Sequence, residues 1–555
     1  MSASQPAGNG TALRRRNGRA RPAAAARPAR GTAKPAKGAA RPAKRAARAS
    51  ATAGPPVMVR MYRQGLGDCF LLTFGKGATA RHVLIDCGTL GATTTPQNKM
   101  EKVVADIRAV TKDHLTVLVA THEHKDHLSG FNSREKDFRQ MTVDHVWLAW
   151  TEDPADDLAE RISVYKNDLA LALGAAVRAA IGDAAAQSEP ADDDNKARVG
   201  APAAGSASRE VALAARDLLG FAGNAKMLGA DKFAETIDEA MKFVRDGLGA
   251  KPTYHKPGGR PVELPEIPGF RFYVLGPPRD EAALKELGGE GSSHLYGLRT
   301  AAYGQIPALK DEQKEECERE MPFDQRFRHV RSGKEFVSAY PAYLAEADAW
   351  RRIDEDWQQA TADLALQLDS LTNNTSLALA VERIADGRVL LFPADAQQGN
   401  WLSWHKLSWS VRDAGGATRT VTARDLLDRT VFYKVGHHGS HNATVKEQGL
   451  GLMNRKQELV AFIPVDRAVA MGRNPKKSWK MPARALYREL LNRCDGRVAR
   501  SDIGWAADAK EADDKATEEE LLGVANRAEW KAWEKAQNAA KHVRATPLFI
   551  EYTLK

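Results

Sequence analysis

Cysteine is scarce. Four occur in 555 residues, Cys69, Cys87, Cys317 and Cys494, and no two form a CxxC pair. That spacing excludes a disulfide framework and a cysteine-ligated zinc site, and it predicts a reducing compartment, the cytoplasm. Long apolar runs are missing too. No stretch approaches the ~18 residues from which a membrane helix is read. The densest, 169-LALALGAAVRAAIG-182, is short and broken by Arg178. A secretory leader is not indicated, because no apolar segment follows the first arginines. Acidic residues are absent from one end: residues 1–55 carry 13 Lys and Arg and no Asp or Glu. The whole-chain charge of +10 is therefore a property of this tail, and residues 56–555 carry −3.

Ala, Pro, Gly, Arg and Lys dominate the tail, with a single Leu. It cannot bury enough apolar surface to offset the entropy of ordering and is predicted to be disordered. Two readings stay open. One is a solvated, dispensable extension. The other is an electrostatic tether to nucleic acid, resembling the Ala/Lys/Pro tails of histone-like proteins, in which each neutralised phosphate releases a counterion. The composition also suits an organelle transit peptide, but the proline density opposes the amphipathic helix such peptides form.

From Val57 the pattern changes to short β-rich runs separated by glycine-containing turns: VMVRMYR, FLLTFG and HVLIDCG. A helix follows in NKMEKVVADIRAV, a buried strand in HLTVLVAT, a helix start at DHLSGF and a strand in HVWLAW. This β-β-β-α-β-α-β order implies an α/β domain. The expected organisation is one discontinuous core: a tail (1–55), a first core part (56–150), an Ala-rich helical insertion (151–265), a core strand (266–278), a second helical insertion (279–370), a second core part (371–505), a charged helical insertion (506–543) and a last strand (544–555). Trp401, Trp404 and Trp409 lie in 400-NWLSWHKLSW-409, where spacing favours core packing over base stacking.

The strand HLTVLVAT runs into 121-THEHKDHLSG-130, which packs His122, His124, Asp126 and His127 into six of the 555 positions. His122 and His124, two apart in extended chain, face one side and can share a metal ion. Asp126 and His127, where the chain turns into a helix, can serve a second. Imidazole and carboxylate together suit zinc, manganese or iron rather than calcium. A satisfied core histidine or a helix cap explains any one of these residues, but not four together. Six residues cannot complete two coordination shells. Further candidates stand at later strand ends: Asp395 after GRVLLFPA, then His437, His438 and His441 in 436-GHHGSHN-442. Lys434, late in the strand TVFYKV, is expected to be exposed, or to contact a phosphate.

His-x-His-x-Asp-His after a strand resembles the signature of the metallo-β-lactamase fold, an αββα sandwich of two sheets between helices. Flanking motifs resemble, more narrowly, the soluble hydrolase domain of DNA-uptake competence proteins of the ComEC type. They are Gly65-Leu66-Gly67-Asp68-Cys69, Ile85-Asp86-Cys87-Gly88, Leu275-Gly276-Pro277, Asn373-Asn374-Thr375-Ser376, Phe392-Pro393-Ala394-Asp395, Lys434-Val435-Gly436-His437-His438-Gly439-Ser440 and Val498-Ala499-Arg500-Ser501-Asp502. The resemblance implies two divalent ions, zinc or manganese. His122 and His124 would hold one, Asp126 and His127 the other. Asp395 would bridge, and His438 rather than His437 would complete the second site. Asp86 would support the ligand loop. The chain departs from the pattern at Asn373-Asn374, where many members carry His, at Ala394 for the usual Gly, and at Met481-Pro482 for His-Pro.

The implied chemistry is hydrolysis by a hydroxide held between the two ions. Asp126 would orient it, and His437 or His441 would supply the leaving group's proton. A phosphodiesterase or nuclease comes first, with DNA as a substrate and partner in keeping with the basic tail. The same metals would serve a hydrolase of carboxylic esters, thioesters or lactones, and a non-catalytic nucleic-acid-binding or interaction protein would keep the fold without turnover. Deleting residues 1–55 is expected to abolish salt-dependent association with DNA in a mobility-shift titration, since log affinity falls with log salt when phosphates are neutralised. An affinity unchanged by the deletion would identify the tail as a passive extension.

Overall fold

The computed structural model describes residues 54–90, 99–181, 236–286, 354–413, 415–471, 481–505 and 527–555, with isolated positions at 213–219 and 338–341. The basic tail up to residue 53, the polar linker at 188–210, Cys317, most of the second insertion and residues 506–526 lie outside them. Ala51–Lys555 forms one compact unit.

The chain first lays down β1 (Val57–Tyr62), β2 (Cys69–Phe74), β3 (Arg81–Cys87), β4 (His114–Val119), β5 (Thr142–Ala149) and β6 (Pro252–His255) of one sheet. A second sheet is built from β7 (Phe270–Val274), β8 (Leu379–Arg383), β9 (Val389–Phe392), and later strands, while β10 (Ser408–Arg412) and β11 (Thr418–Thr422) pair as a separate ribbon. The second sheet is finished by β12 (Thr430–Lys434), β13 (Val460–Ile463), β14 (Val498–Arg500) and β15 (Gly504–Trp505). Then β16 (Val543–Ala545) and β17 (Phe549–Leu554) return to the first. The orders are β16-β17-β1-β2-β3-β4-β5-β6 and β15-β14-β13-β12-β9-β8-β7. Both sheets are mixed: β3, β4, β5 and β6 run parallel to one another, as do β9, β12, β13 and β14, with antiparallel strands beside them.

The fold is thus a mixed α/β architecture with two large sheets. Strands such as CFLLTF and TVFYK are buried along their whole length, the reading of strands covered on both faces. Val59, Phe70, Val83 and Val117 of the first sheet share one apolar cluster with Phe272, Val381, Phe392 and Phe462 of the second. The other face of the first sheet packs on helices α1 (Lys99–Thr111) and α2 (Lys125–Ser133). Helix α1 buries Val103, Val104 and Ile107 there, a spacing that places them on one face of a 3.6-residue helix. The outer face of the second sheet meets Trp401 and Trp404, both fully buried with ring centroids 4.0 Å apart, and Trp409. These tryptophans are core, as their spacing suggested.

Helix α3 (Asp157–Ile181) and α4 (Thr236–Asp246) occupy the first insertion, and α5 (Asp354–Asn374) ends the second. Two features differ from expectation. Strand β6 lies inside the stretch read as helical, because four residues, PTYH, carry too little alternation to register against an Ala-rich background. The ribbon β10–β11 was not foreseen either: the tryptophans drew the reading toward helical spacing. It alternates buried Trp409 and Val411 with exposed neighbours, the half-buried strand pattern.

His255, at the end of β6, is 7% exposed and packs edge-on against Trp147 with centroids 4.7 Å apart. Burial lowers its pKa from 6.5 to about 4. Between those values the unfolded chain binds a proton that the folded protein refuses, so stability is full above about pH 6.5 and declines as pH falls toward 4. His255→Leu is expected to flatten part of that decline in melting temperature between pH 6.5 and 4. His82, also held at about 4 by burial and the nearby His114 and Arg81, contributes to the decline that stays.

Candidate metal centre

The parallel strands deliver their C-terminal ends to one rim. β3 ends with Asp86 and Cys87, β4 leads to Thr121 and His122, β9 leads to Asp395, and β12 leads to His437 and His438. Asp86 is completely buried and accepts from Thr121 N at 2.8 Å, from Thr121 Oγ1 at 2.7 Å and from His127 Nδ1 at 2.8 Å. This fixes His127 with its Nε2 3.1 Å from Asp395 Oδ2 and 3.5 Å from Asp126 Oδ2. His438 is held from behind by a 2.7 Å hydrogen bond from Nδ1 to Pro464 O, and its Nε2 lies 2.5 Å from Asp126 Oδ2 and 3.7 Å from Asp395 Oδ2.

His122 Nε2 and His124 Nδ1 approach to 3.0 Å, and the His122 ring centroid lies 4.2 Å from that of His127. Asp126 does not cap α2. It sits within the helix's first turn and turns its side chain to His438. All six residues expected as ligands, His122, His124, Asp126, His127, Asp395 and His438, are therefore brought together, and each is at most 2% exposed. His438, not His437, enters the cluster. His437 instead donates its backbone N–H to Asp395 Oδ1 at 2.9 Å and lines an adjoining cleft with His441, which is exposed.

Two glycines make this crowding possible. A Cβ on Gly67 would stand 2.6 Å from the carbonyl oxygen of Asp126, and one on Gly88 2.2 Å from its carbonyl carbon. The backbone can then pass close enough for Asp68 N to donate to Asp126 O at 2.9 Å. Four non-glycine residues at the rim take left-handed backbone angles: Asp86 (φ 56), Ala394 (φ 53), His437 (φ 43) and His438 (φ 53). Such conformations persist only where the surroundings impose them. Ala394 stands at an angle that glycine would adopt without strain.

Two participants were missed from sequence. Asp68 belongs with His127, Asp395 and His438 to a buried set whose ligand atoms all lie within 4.8 Å of one another. Lys434 is neither exposed nor available to a phosphate. It is 1% exposed, and its ammonium lies 2.5 Å from Asp68 Oδ2, 3.0 Å from Asp395 Oδ1 and 2.8 Å from Ala394 O. The only early signal for Asp68 was its place in Gly65-Leu66-Gly67-Asp68-Cys69. For Lys434 it was likewise its place at the head of Lys434-Val435-Gly436-His437-His438-Gly439-Ser440, since burial of a lysine depends on carboxylates remote in sequence.

The electrostatics follow from burial against charge. Burial disfavours ionised Asp395, yet Lys434, His127 and His438 outweigh it and hold the carboxyl well below its usual range. Burial opposes a charge on His127 and His438 too, but the surrounding aspartates, Asp395 foremost, raise both. Burial and neighbouring cations push His122 well down, and burial takes His124 to about 3, leaving both neutral with lone pairs to offer.

Asp126 Oδ1 is buried without a hydrogen-bond partner among the described residues, while Asp395 Oδ2 and His127 Nε2 meet each other at 3.1 Å as an ion pair without hydrogen-bond geometry. Unpaired buried polar atoms are rare and call for an explanation such as an ion. Imidazole and carboxylate ligands of one ion, each about 2.0–2.2 Å from it, lie at most ~4.4 Å apart, close to the observed spread. The buried cluster of Asp68, His127, Asp395 and His438 can thus hold a metal ion. Asn373 and Asn374 do not join it. Asn374 bonds the carbonyls of Leu284 and Glu286 and accepts from Asn400 N, while Asn373 donates to Asp369.

No protein-family model matches the chain, and no curated protein matches it.

Replacing Lys434 by Ala strands two buried carboxylates. Breaking a buried ion pair on one side costs about 3–5 kcal/mol, so urea unfolding of Lys434→Ala should show a loss of that order. Lys434→Arg should recover little of it, the planar guanidinium being a poor substitute for a compact ammonium here.

Proposed function

We propose that this chain is a metal-dependent hydrolase with the metallo-β-lactamase αββα sandwich, acting on a phosphodiester. One observation carries the reading: six His and Asp side chains converge from separate strand ends on a buried point, where Asp126 Oδ1 has no hydrogen-bond partner among the described residues. The two sheets sharing a core, with helices on their outer faces, are in keeping with that fold. In this reading His122 and His124 would hold one ion, and Asp126, His127 and His438 a second, with Asp395 between them and zinc or manganese as the metal. When bound, such ions polarise a substrate oxygen and make water a nucleophile near neutral pH.

The chain's own groups would do the rest. Asp126 anchors His438 through Oδ2 and keeps Oδ1 to orient an attacking water. Asp86 fixes the ring orientation of His127. His437 offers a buried Nδ1 without a partner among the described residues, beside the cleft, and can deliver a proton to the departing oxygen. His441, exposed at the same cleft, is the alternative donor. The phosphodiester choice rests on the ComEC-type motifs, with DNA the substrate that the basic tail would favour. A hydrolase of carboxylic esters, thioesters or lactones is the second reading, favoured by the apolar walls of the cleft. Cys69, Cys87 and Cys494 are free thiols, in keeping with a cytoplasmic setting, and no described helix is long and apolar enough to cross a membrane.

Purified protein reconstituted with zinc or manganese should hydrolyse bis(p-nitrophenyl) phosphate, and the metal-free protein should not. Asp126→Ala should lower turnover by more than about 100-fold, since even residues that merely support metal ligands cost about 10–100-fold. A folded, metal-binding protein with no turnover under any metal would overturn the phosphodiesterase reading.

A further inference from the structure

The cleft beside the cluster has a volume of about 180 Å³. His438 lines it while its Nε2 faces Asp126 and Asp395, so the cleft opens on the proposed reaction centre. Its polar side is His437, Ser440, His441, Asn442 and Asp369. Its apolar lining is Leu66, Leu90, Leu218, Leu366 and Met481. Leu366, on α5, is 59% exposed, one of the few large apolar side chains that the described surface leaves in water.

No Lys or Arg is among the described residues lining the cleft. The one lysine of the nearby motif, Lys434, is spent on Asp68 and Asp395. The cleft is also smaller than the ~300–1,000 Å³ typical of sites enclosing a whole drug-sized ligand. It has room for one substituent.

We infer that the substrate places a compact apolar group, alkyl or aryl, against Leu66, Leu366 and Met481, next to the ester being cut. This rests on the hydrolase reading for the location of the reaction centre. The apolar group leaves water for a surface that is itself poorly solvated, and the scissile ester is thereby carried to the His and Asp cluster.

Binding can be read without turnover, which separates this inference from the activity. Methylphosphonate and phenylphosphonate carry the same anionic head and differ only in the apolar group. Titrated calorimetrically into the zinc-loaded full-length protein, phenylphosphonate should bind at least about tenfold more tightly. In Leu366→Asp, a change at an exposed position compatible with folding, that ratio should fall toward one. Equal affinities in the unaltered protein, no binding of either phosphonate, or a ratio untouched by Leu366→Asp would each overturn the inference. Bis(p-nitrophenyl) phosphate turnover lost or retained in the same preparation reports on the hydrolase reading independently.

Discussion

The ammonium of Lys434 sits at the end of β12 with three oxygens around it, from Asp68, Asp395 and Ala394. Asp68 belongs to the loop that enters the first sheet, and Asp395 follows β9 of the second. One buried cation therefore ties the rims of both sheets. Without it two nearby buried carboxylates would compete, and like charges at such range force one of them to take up a proton. With it, burial still penalises Asp395, but the carboxylate stays ionised and its Oδ2 turns toward His127 and His438. The site thus has an excess of negative charge, with four aspartates around one lysine. That excess raises the proton affinity of His127 and His438 and makes the cluster a good host for a cation.

Precision at the rim is maintained by constraint rather than by regular structure. Asp86, Ala394, His437 and His438 adopt backbone angles that non-glycine residues avoid. Each is tied by a hydrogen bond: Asp86 by Thr121 and His127, Ala394 by Lys434, His437 by Asp395 and His438 by Pro464. Sites built to act on a substrate gain from ligands whose positions are fixed before anything binds. The same loops leave His437 and His441 beside the cleft.

Much of this was legible in the sequence, and the remainder was not for identifiable reasons. The His122–His127 segment announced itself because local spacing fixes which side chains can meet. Most strands were evident as continuous apolar runs, since both faces of each are covered. Asp395 and the group His437, His438 and His441 were found by their place after such runs, and the resemblance singled out His438. Asp68 and Lys434 were not, because their partners lie 366 residues apart in the numbering and no local pattern encodes the contact. β6 was hidden by length and the β10–β11 ribbon by Trp401 and Trp404 just before it, whose three-residue spacing belongs to the short helical stretch they occupy while Trp409 alternates within a strand. The motif Leu275-Gly276-Pro277 has a packing reason: a Cβ on Gly276 would lie 2.0 Å from Asn400 Oδ1.

β1 takes its place between β2 and β17, the last strand of the chain. At about 5–20 residues per second of synthesis, the outer edge of β1 waits on the order of 25–100 s for its neighbour to be made. An open edge of this kind invites pairing with another nascent chain. Arg60, in the middle of VMVRMY, is the countermeasure available during that interval, since a charge on an exposed edge discourages such pairing. When β17 arrives, Glu551 takes up the guanidinium at 2.6 Å, and Arg383 binds the carbonyls of Leu554 and Lys555. The guard of the nascent edge becomes the clasp of the finished sheet.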